Sequence, residues 1–251
     1  ANRSNHYLLL FPDDSVRYMS VEEVSRSCGI LPESPLMGML SCGAYLTPTQ
    51  AVTCLGAGVH AAVARQVVVT LIARGALPAC GITYGSSCSG IDTFAAGLDA
   101  ATRGHWTYVF ASEQETRVRA ALLRAWGVRG LRAESCFSDA CGVDAEHAPL
   151  VDLFVLTPNC AAYSRCNRYR SDVSQDKSLD DVFRCLAYVR LRRPRVVIVE
   201  NVCESGVVGP VTGLLSRLVG YARVETSMLD PRDIARLPVA RERQFWVLVR
   251  V

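Results

Sequence analysis

Two hydrophobic runs in this chain end in residue types that can do chemistry. The first, VDLFVLTPNC at 151–160, reads as a buried strand that stops at a Pro, an Asn and Cys160. The second, RVVIVENV at 195–202, stops in a similar way at Glu200. Open α/β sheets carry their reactive groups at the carboxyl ends of strands, so these strands would present a thiol and a carboxyl group to one site. A thiol nucleophile beside a proton donor is suited to covalent catalysis.

The elements that must position these groups follow from the hydrophobic periodicity. Strand and helix patterns alternate, which predicts a three-layer α/β/α domain with a doubly wound, mostly parallel, Rossmann-like sheet, spanning 1–251 as one unit. The predicted strands are 81–86, 106–112, 131–136, 151–157, 195–200, 222–229 and 243–251. The predicted helices, with apolar residues at three- and four-residue spacing, are 93–102, 115–127, 179–192 and 209–220.

Composition sets looser bounds on function. The chain has 251 residues, 50% of them hydrophobic, which suits one large core. Its net charge of +3 is too small to indicate a nucleic-acid binder by charge alone. The eleven cysteines show no CxxC spacing, so we expect no metal site and a reducing compartment. We also expect no membrane span and no signal peptide, and therefore a soluble, intracellular protein.

The turn after the first predicted strand could hold a ligand. In CSGIDTFAAGL at 88–98, a Ser-Gly pair would let a ligand approach the backbone at a helix amino end, although a lone glycine turn is weak evidence. At the end of the next strand, Glu113 could accept hydrogen bonds from both ribose hydroxyls of a nucleoside. The alternative for Glu113 is a solvated carboxylate at a helix start.

The catalytic segments resemble those of the cytosine C5 methyltransferase family. TPNCAAYS at 157–164 keeps the Pro, Cys, aromatic residue and Ser of that family's Gly-Pro-Pro-Cys-Gln-Gly-Phe-Ser motif, and ENV at 200–202 keeps its acidic motif. The family's Gln-x-Arg-x-Arg-x-Phe element follows a Pro, and its places are held here by Pro238, Arg241, Arg243 and Phe245, with Val239 in place of the Gln. The cofactor turn matches less well, since Cys88 stands at the family's Phe and Gly90 matches, but Asp92 and Thr93 replace later glycines.

The resemblance implies a class I methyltransferase fold and a covalent mechanism. The Cys160 thiolate would attack C6 of cytosine, so that C5 takes a methyl group from S-adenosylmethionine and S-adenosylhomocysteine is left. Glu200 would hold N3 of the base, and Arg241 and Arg243 would grip the target phosphate or O2. Asp139 would accept the adenine amino group, or would only cap a helix. The cofactor contacts implied in this way are Cys88, Ser89, Gly90, Ile91, Asp92, Glu113, Gln114, Asp139, Ala140, Pro158, Gly58 and Val59.

The order of the motifs is unusual. The segment 17–75 resembles the closing elements of the family, whereas 81–251 resembles its cofactor and catalytic elements. Because the family's last helix packs beside its first strand, a circular permutation would keep the folded layout. Ala57 stands where the family has an Asn, and the chain has no room for the family's large target-recognition region.

Three functions remain open at this point. The first is a DNA cytosine C5 methyltransferase that acts on a flipped base, and the second is an RNA (tRNA) cytosine C5 methyltransferase. The third is a catalytically weak, methyltransferase-like regulatory subunit. Nucleic acid is the expected partner, DNA ahead of RNA, with a separate domain or subunit for target recognition or with arginines of the polar segment 165–178 on the substrate backbone. The compartment would be the nucleus in a eukaryote and otherwise the cytoplasm.

Overall fold

The fold is that of a computed structural model, which describes residues 8–138, 148–158, 177–236 and 241–251. A short hairpin of β1 (Leu8–Leu10) and β2 (Val16–Tyr18) opens the described chain. The main sheet is formed by β3 (Ile82–Ser87), β4 (Trp106–Ser112), β5 (Cys136–Phe137), β6 (Leu153–Leu156), β7 (Val196–Asn201), β8 (Tyr221–Leu229) and β9 (Arg243–Arg250).

The strand order in the main sheet is β5-β4-β3-β6-β7-β9-β8. The neighbours from β5 to β7 pair in parallel, and β9 pairs antiparallel with both β7 and β8. From β3 the chain continues to β4 and β5 on one side of the sheet, and from β6 it continues to β7 on the other side. The gap between β3 and β6 is therefore the switch point at which doubly wound sheets bind ligands. The predicted doubly wound, mostly parallel sheet is confirmed.

Nine helices lie in the part of the chain that the structure describes. They are α1 (Val21–Ser27), α2 (Pro35–Cys42), α3 (Pro48–Ala57), α4 (Ala61–Ala73), α5 (Thr93–Thr102), α6 (Thr116–Trp126), α7 (Lys177–Arg192), α8 (Ser205–Leu215) and α9 (Pro231–Ala235). Buried residues of α4, α5 and α6 form one core with Val196, Ile198 and Val247, whereas α7 and α8 form the other core with Val197, Val199 and Leu248. Alternate residues of β7 thus face opposite helix layers, which confirms three layers.

Two predicted elements differ from the observed ones. The predicted strand 131–136 is reduced to Cys136–Phe137, because Ala133–Ser135 tighten into a 3₁₀ turn. The predicted helix 209–220 is instead Ser205–Leu215. The helix begins before the Gly-Pro pair at 209–210 and contains Pro210 in its interior.

The amino-terminal helices pack tightly on the sheet layer. A Cβ at Gly97 of α5 would lie 2.5 Å from the Ala61 carbonyl oxygen and 2.6 Å from Ala64 Cβ, so only glycine allows this approach of α4. By length and composition the segment Pro48–Ala73 could cross a membrane, yet 44% of its most apolar window is buried in the protein. Its packing on α5 is typical of a core helix. The length and composition of the segment are therefore only weak evidence for a membrane span.

Candidate functional site

A buried carboxylate stabilises the turn between β3 and α5 through hydrogen bonds. Asp92 caps α5 by accepting from the Ala95 N–H at 2.9 Å, and it also accepts from the hydroxyls of Tyr84 (3.0 Å), Ser86 (3.0 Å) and Tyr108. Burial raises the pKa of the Asp92 carboxyl, and these hydrogen bonds oppose that shift. The Asp92 carboxyl group therefore fixes the backbone of the turn. Asp92 itself has a φ of 54°, in the left-handed region.

Glu113, at the end of β4, ties the same turn to the neighbouring strand. Its Oε2 accepts from the Gly90 N–H at 2.8 Å and its Oε1 from the Glu115 N–H at 2.8 Å. An ionised carboxylate has about four lone-pair positions, so two remain for a ligand. Gly90 has a φ of 57°, and a Cβ on it would meet open space. The half-buried Glu113 carboxylate thus borders an accessible stretch of backbone.

Two buried hydroxyls lie beside this stretch without a hydrogen-bond partner among the described residues. They are Oγ of Ser87, the last residue of β3, and Oγ1 of Thr93, the first residue of α5. Thr93 packs directly against Gly58, where an added Cβ would lie 2.9 Å from Thr93 Cγ2. Buried hydroxyls normally find partners, so two orphans at one strand-to-helix turn mark a place where a polar ligand would satisfy them.

Glu200, the penultimate residue of β7, is almost fully buried at 5% exposure. Arg243 Nε lies 3.2 Å from Glu200 Oε1, yet Oε1 accepts no hydrogen bond within the described part of the chain. Burial raises the pKa of the Glu200 carboxyl, and the positive charges of Arg243 and Arg241 partly oppose this. A raised pKa favours the neutral carboxyl, which can donate a proton or a hydrogen bond.

Arg241 serves the protein's own backbone. Its guanidinium donates from Nη1 to the Gly56 carbonyl oxygen and from Nη2 to the Gly58 carbonyl oxygen, both at 2.5 Å. These carbonyls lie at the carboxyl end of α3, where a cation also interacts favourably with the helix dipole. A contact of Arg241 with a substrate stays a prediction, and it would use the guanidinium N–H groups that these two hydrogen bonds do not occupy.

The structure brings most of the predicted site residues to one edge of the sheet. Pro158 is buried beyond the end of β6, where Thr157 donates from its N–H to the Ser87 carbonyl oxygen at 3.2 Å. Ser89 joins β3 to β4 through its Oγ, and Gln114 is exposed beyond β4. The remaining cofactor candidates of this edge are Cys88, Gly90, Ile91, Asp92, Glu113, Gly58 and Val59.

Some predicted site residues pack in the core or fall outside the described residues. Ile91 is buried, and its carbonyl oxygen accepts from Trp126 Nε1 at 3.1 Å, so its side chain belongs to the core. Val59 is likewise buried at 3% exposure. Cys160, Asp139 and Ala140 lie outside the described residues, and the roles predicted for them stay predictions.

The sequence reading missed the hydroxyls that support the turn. Tyr84 and Ser86 are two residues apart on β3, so they share a face of the strand, and Tyr108 lies beside them on β4. The available signal was polarity inside the strand ITYGSS at 82–87, which a fully buried strand does not need. Ser87 and Thr93 carry the same kind of signal.

No protein-family model matches the chain, and no curated protein matches it in sequence. Solved structures match it in fold. A prophage-encoded protein (E. coli) assigned as a DNA modification methyltransferase has a TM-score of 0.50 and 16% identity, over 68% of this chain and 47% of its own. The Dnmt2 methyltransferase of S. pombe has a TM-score of 0.50 and 17% identity, over 67% of this chain and 50% of its own.

A third similar structure comes from Pyrococcus horikoshii. This protein, assigned as an RNA methyltransferase, has a TM-score of 0.50 and 11% identity, over 75% of this chain and 83% of its own. The chain spans about half the length of the other two proteins. At such identities the likeness is one of fold, and the chain has the Rossmann-like fold of these methyltransferases.

Proposed function

We propose that this protein is an S-adenosylmethionine-dependent methyltransferase that modifies C5 of cytosine in DNA through a covalent cysteine adduct. The observation that carries the proposal is Glu200, a buried carboxyl group at the end of β7 with a raised pKa and Arg243 beside it. β7 lies next to β6, and Pro158 after β6 leads within two residues to Cys160. The likeness to solved methyltransferases supports the fold on which this chemistry depends.

The described residues fit the cofactor that this function needs. Glu113 has lone pairs left for ribose hydroxyls, Gly90 leaves space beside the backbone, and Ser87 and Thr93 offer unsatisfied hydroxyls. These groups surround the switch point between β3 and β6, where doubly wound sheets bind nucleotides. When bound, S-adenosylmethionine would supply an electrophilic methyl group.

In the proposed mechanism, the residues of this chain activate the base. The Cys160 thiolate bonds to C6 of cytosine, and negative charge builds on the ring as C5 becomes nucleophilic. Glu200, whose pKa is raised by burial, donates to N3 and limits that charge. When Glu200 gives up its proton, Arg243, 3.2 Å from Oε1, stabilises the carboxylate that is left. After methylation a base removes the C5 proton, the thiolate is eliminated, and N3 returns its proton to Glu200.

A circular permutation is part of the proposal. The helices α1–α4 precede β3 in the chain, yet the link between α3 and α4 packs against the cofactor turn through Gly58 and Thr93. Arg241, from the segment before β9, holds the Gly56 and Gly58 carbonyl oxygens of the same link. These contacts support the idea that 17–75 takes the place of the family's closing elements in space.

The substrate must present a base outside the helical stack, because neither a thiol nor a sulfonium group reaches C5 and C6 of a stacked cytosine. RNA is the second candidate substrate, since one of the similar structures is assigned as an RNA methyltransferase. A separate domain or subunit for target recognition, and an intracellular location without a membrane, belong to the same proposal.

Trapping with 5-fluorocytosine tests the function. DNA or RNA that carries this base is incubated with the protein and S-adenosylmethionine, and a covalent adduct is sought by denaturing gel and mass spectrometry. Fluorine does not leave as the C5 proton does, so we expect an adduct that persists in wild type and disappears in Cys160→Ser.

The matched control is Cys80→Ser, which removes an exposed thiol and should leave the adduct unchanged. An adduct with RNA alone would move the proposal to an RNA methyltransferase. Absence of an adduct with either polymer, together with no binding of S-adenosylmethionine by calorimetry, would instead support the regulatory-subunit hypothesis. Cofactor binding without an adduct on free DNA or RNA would contradict autonomous activity and would indicate that a recognition partner is required.

A further inference from the structure

An apolar groove lies between α4 and the sheet, away from the site described above. It has a volume of about 550 Å³, within the range of small-molecule sites in proteins. Its walls are formed by side chains of α4, β8, α9 and β9, namely Val67, Leu71, Leu229, Ile234, Val247 and Val249. Along β9 the groove extends from Phe245 to Arg250, which is about 17 Å at ~3.4 Å per residue. The space is therefore long and lined by aliphatic groups.

One end of the groove carries two arginines. Arg74 follows α4 and Arg195 precedes β7. Arg195 Nη2 donates to the Gly75 carbonyl oxygen at 2.9 Å, so the two residues meet at the amino end of β7, opposite to the end that holds Glu200. Arg250 pairs with Tyr221 and its Nη1 donates to the Arg193 carbonyl oxygen at 2.8 Å, so its guanidinium lies on the α7–α8 side of the sheet.

These arginines have no ion-pair partner among the side chains that the structure describes. The hydrogen bond described for the Arg195 guanidinium goes to a backbone carbonyl. A guanidinium has five N–H donors, so most of them are available to a ligand. Two unneutralised cations at the end of an apolar groove complement one kind of molecule, an anion with a long apolar body.

We propose that the groove binds a long-chain carboxylate, with the acyl chain between α4 and β9 and the carboxylate on Arg74 and Arg195. The planar guanidinium matches a carboxylate in a two-bond geometry, which a point charge does not. The chain would cover Val247 and Val249 and remove apolar surface from water. At its inner end it would contact Phe245, which pairs with Glu200 across β7 and β9, and this contact links the groove to the catalytic edge.

Calorimetric titration with sodium dodecanoate, below its micelle concentration, tests the proposal on the full chain. We expect saturable binding with one molecule per protein. Butyrate has the same head without the long chain, and dodecyltrimethylammonium has the same chain with a positive head, so both should bind at least tenfold more weakly. Equal binding of dodecyltrimethylammonium would overturn the proposal, because it would show that the arginines do not select the ligand.

Two variants locate the site. The double variant Arg74→Gln with Arg195→Gln should weaken dodecanoate binding about tenfold or more, which corresponds to about 1.4 kcal/mol. Thr70→Trp, on the groove side of α4, should fill the channel and abolish binding. Arg124→Gln, at an exposed position of α6 away from the groove, is the control and should bind as wild type does.

Circular dichroism and thermal melting establish that each variant is folded, and Val67→Phe replaces Thr70→Trp if the latter is not. Unchanged dodecanoate binding by a folded, groove-filled variant would overturn the assignment. Sedimentation velocity of the ligand-free protein tests whether a second copy of the protein occupies the groove instead. A dimer that is lost in Thr70→Trp would show that a second copy fills the groove, and the carboxylate proposal would then be wrong.

Discussion

The two halves of the carboxyl edge differ in how many hydrogen bonds their buried carboxyl groups accept. At the end of β3, the Asp92 carboxylate accepts from three hydroxyls and one backbone N–H. At the end of β7, Glu200 Oε1 accepts no hydrogen bond from the described residues, although the side chain is 5% exposed. A saturated carboxylate holds a backbone in place, whereas an unsatisfied one can change its protonation state or its partner. Asp92 thus forms a structural frame for the first half, whereas Glu200 in the second half keeps the acceptor capacity that the proposed chemistry requires.

The largest expected effect comes from breaking the frame. Asp92→Ala removes the cap of α5 and leaves the hydroxyls of Tyr84, Ser86 and Tyr108 without their acceptor. Loss of a cap and of buried hydrogen bonds should lower the free energy of unfolding by about 3 kcal/mol. Urea denaturation measures this change. Glu134→Ala, at an exposed position, is the control and should stay within about 0.5 kcal/mol of wild type. If the two variants unfold alike, the Asp92 network is not a structural frame.

At the other half, Glu200→Gln should act on activity and leave the fold intact. The amide keeps the shape of the side chain but cannot transfer a proton to N3, so we expect methyl transfer to fall about hundredfold or more. Below the ordinary glutamate pKa, stability should change little, because no hydrogen bond from the described residues to Oε1 is lost. Methyl incorporation from labelled cofactor measures the rate, and Glu242→Gln, exposed beside Arg243, is the control. Equal rates for wild type and Glu200→Gln would remove Glu200 from the mechanism.

The same pair of proteins has a second readout in its pH dependence. Burial raises the pKa of Glu200 above its ordinary value, so the unfolded chain ionises first as the pH rises. Wild type should therefore lose stability relative to Glu200→Gln from the ordinary glutamate pKa upward, and the difference should become constant above the folded pKa. Urea denaturation at several pH values measures this. A difference that does not change with pH would mean that the pKa of Glu200 is not shifted.

A smaller effect is expected where the two parts of the proposed permutation meet. Gly58→Ala would place a Cβ against the Thr93 side chain, which should cost about 2 kcal/mol of stability. Thr93→Ala removes the two closest atoms, so the double variant should recover most of the loss. A double-mutant cycle by urea denaturation measures the coupling. Additive effects would show that the α3–α4 link does not rest on the cofactor turn.

Much of the fold was predictable because hydrophobic period and turn residues are local signals. Helix 93–102 was predicted with its observed bounds, and the strand pattern gave the correct sheet type. The strand at 131–136 was wrong because a 3₁₀ turn at Ala133–Ser135 leaves only two residues to pair with β4. The predicted start of α8 was also wrong, since the helix begins at Ser205 and contains Pro210, a residue that is rare in helix interiors.

The candidate site was predictable only in part. Strand ends indicated Glu200 and Glu113, and the structure places both at the same edge of the sheet. The engagement of Arg241 with Gly56 and Gly58 could not be predicted, since these residues are more than 180 positions apart in the chain. The same is true of the hydroxyls around Asp92, because burial of a polar side chain depends on tertiary packing that the local pattern does not encode.

The smallest expected effect lies at Glu113, which accepts fewer hydrogen bonds than Asp92 and more than Oε1 of Glu200. Its carboxylate supports the Gly90 and Glu115 N–H groups, yet it is only half-buried and has lone pairs left for a ligand. Glu113→Gln keeps one acceptor oxygen, so stability should fall by about 1 kcal/mol or less. Binding of S-adenosylmethionine, measured by calorimetry, should weaken about tenfold because an amide accepts fewer hydrogen bonds from two ribose hydroxyls. Glu134→Gln is the matched surface control. Unchanged cofactor affinity with lowered stability would show that Glu113 only supports the turn after β3 and does not bind the cofactor. Glu113 would then belong with Asp92 to the structural frame.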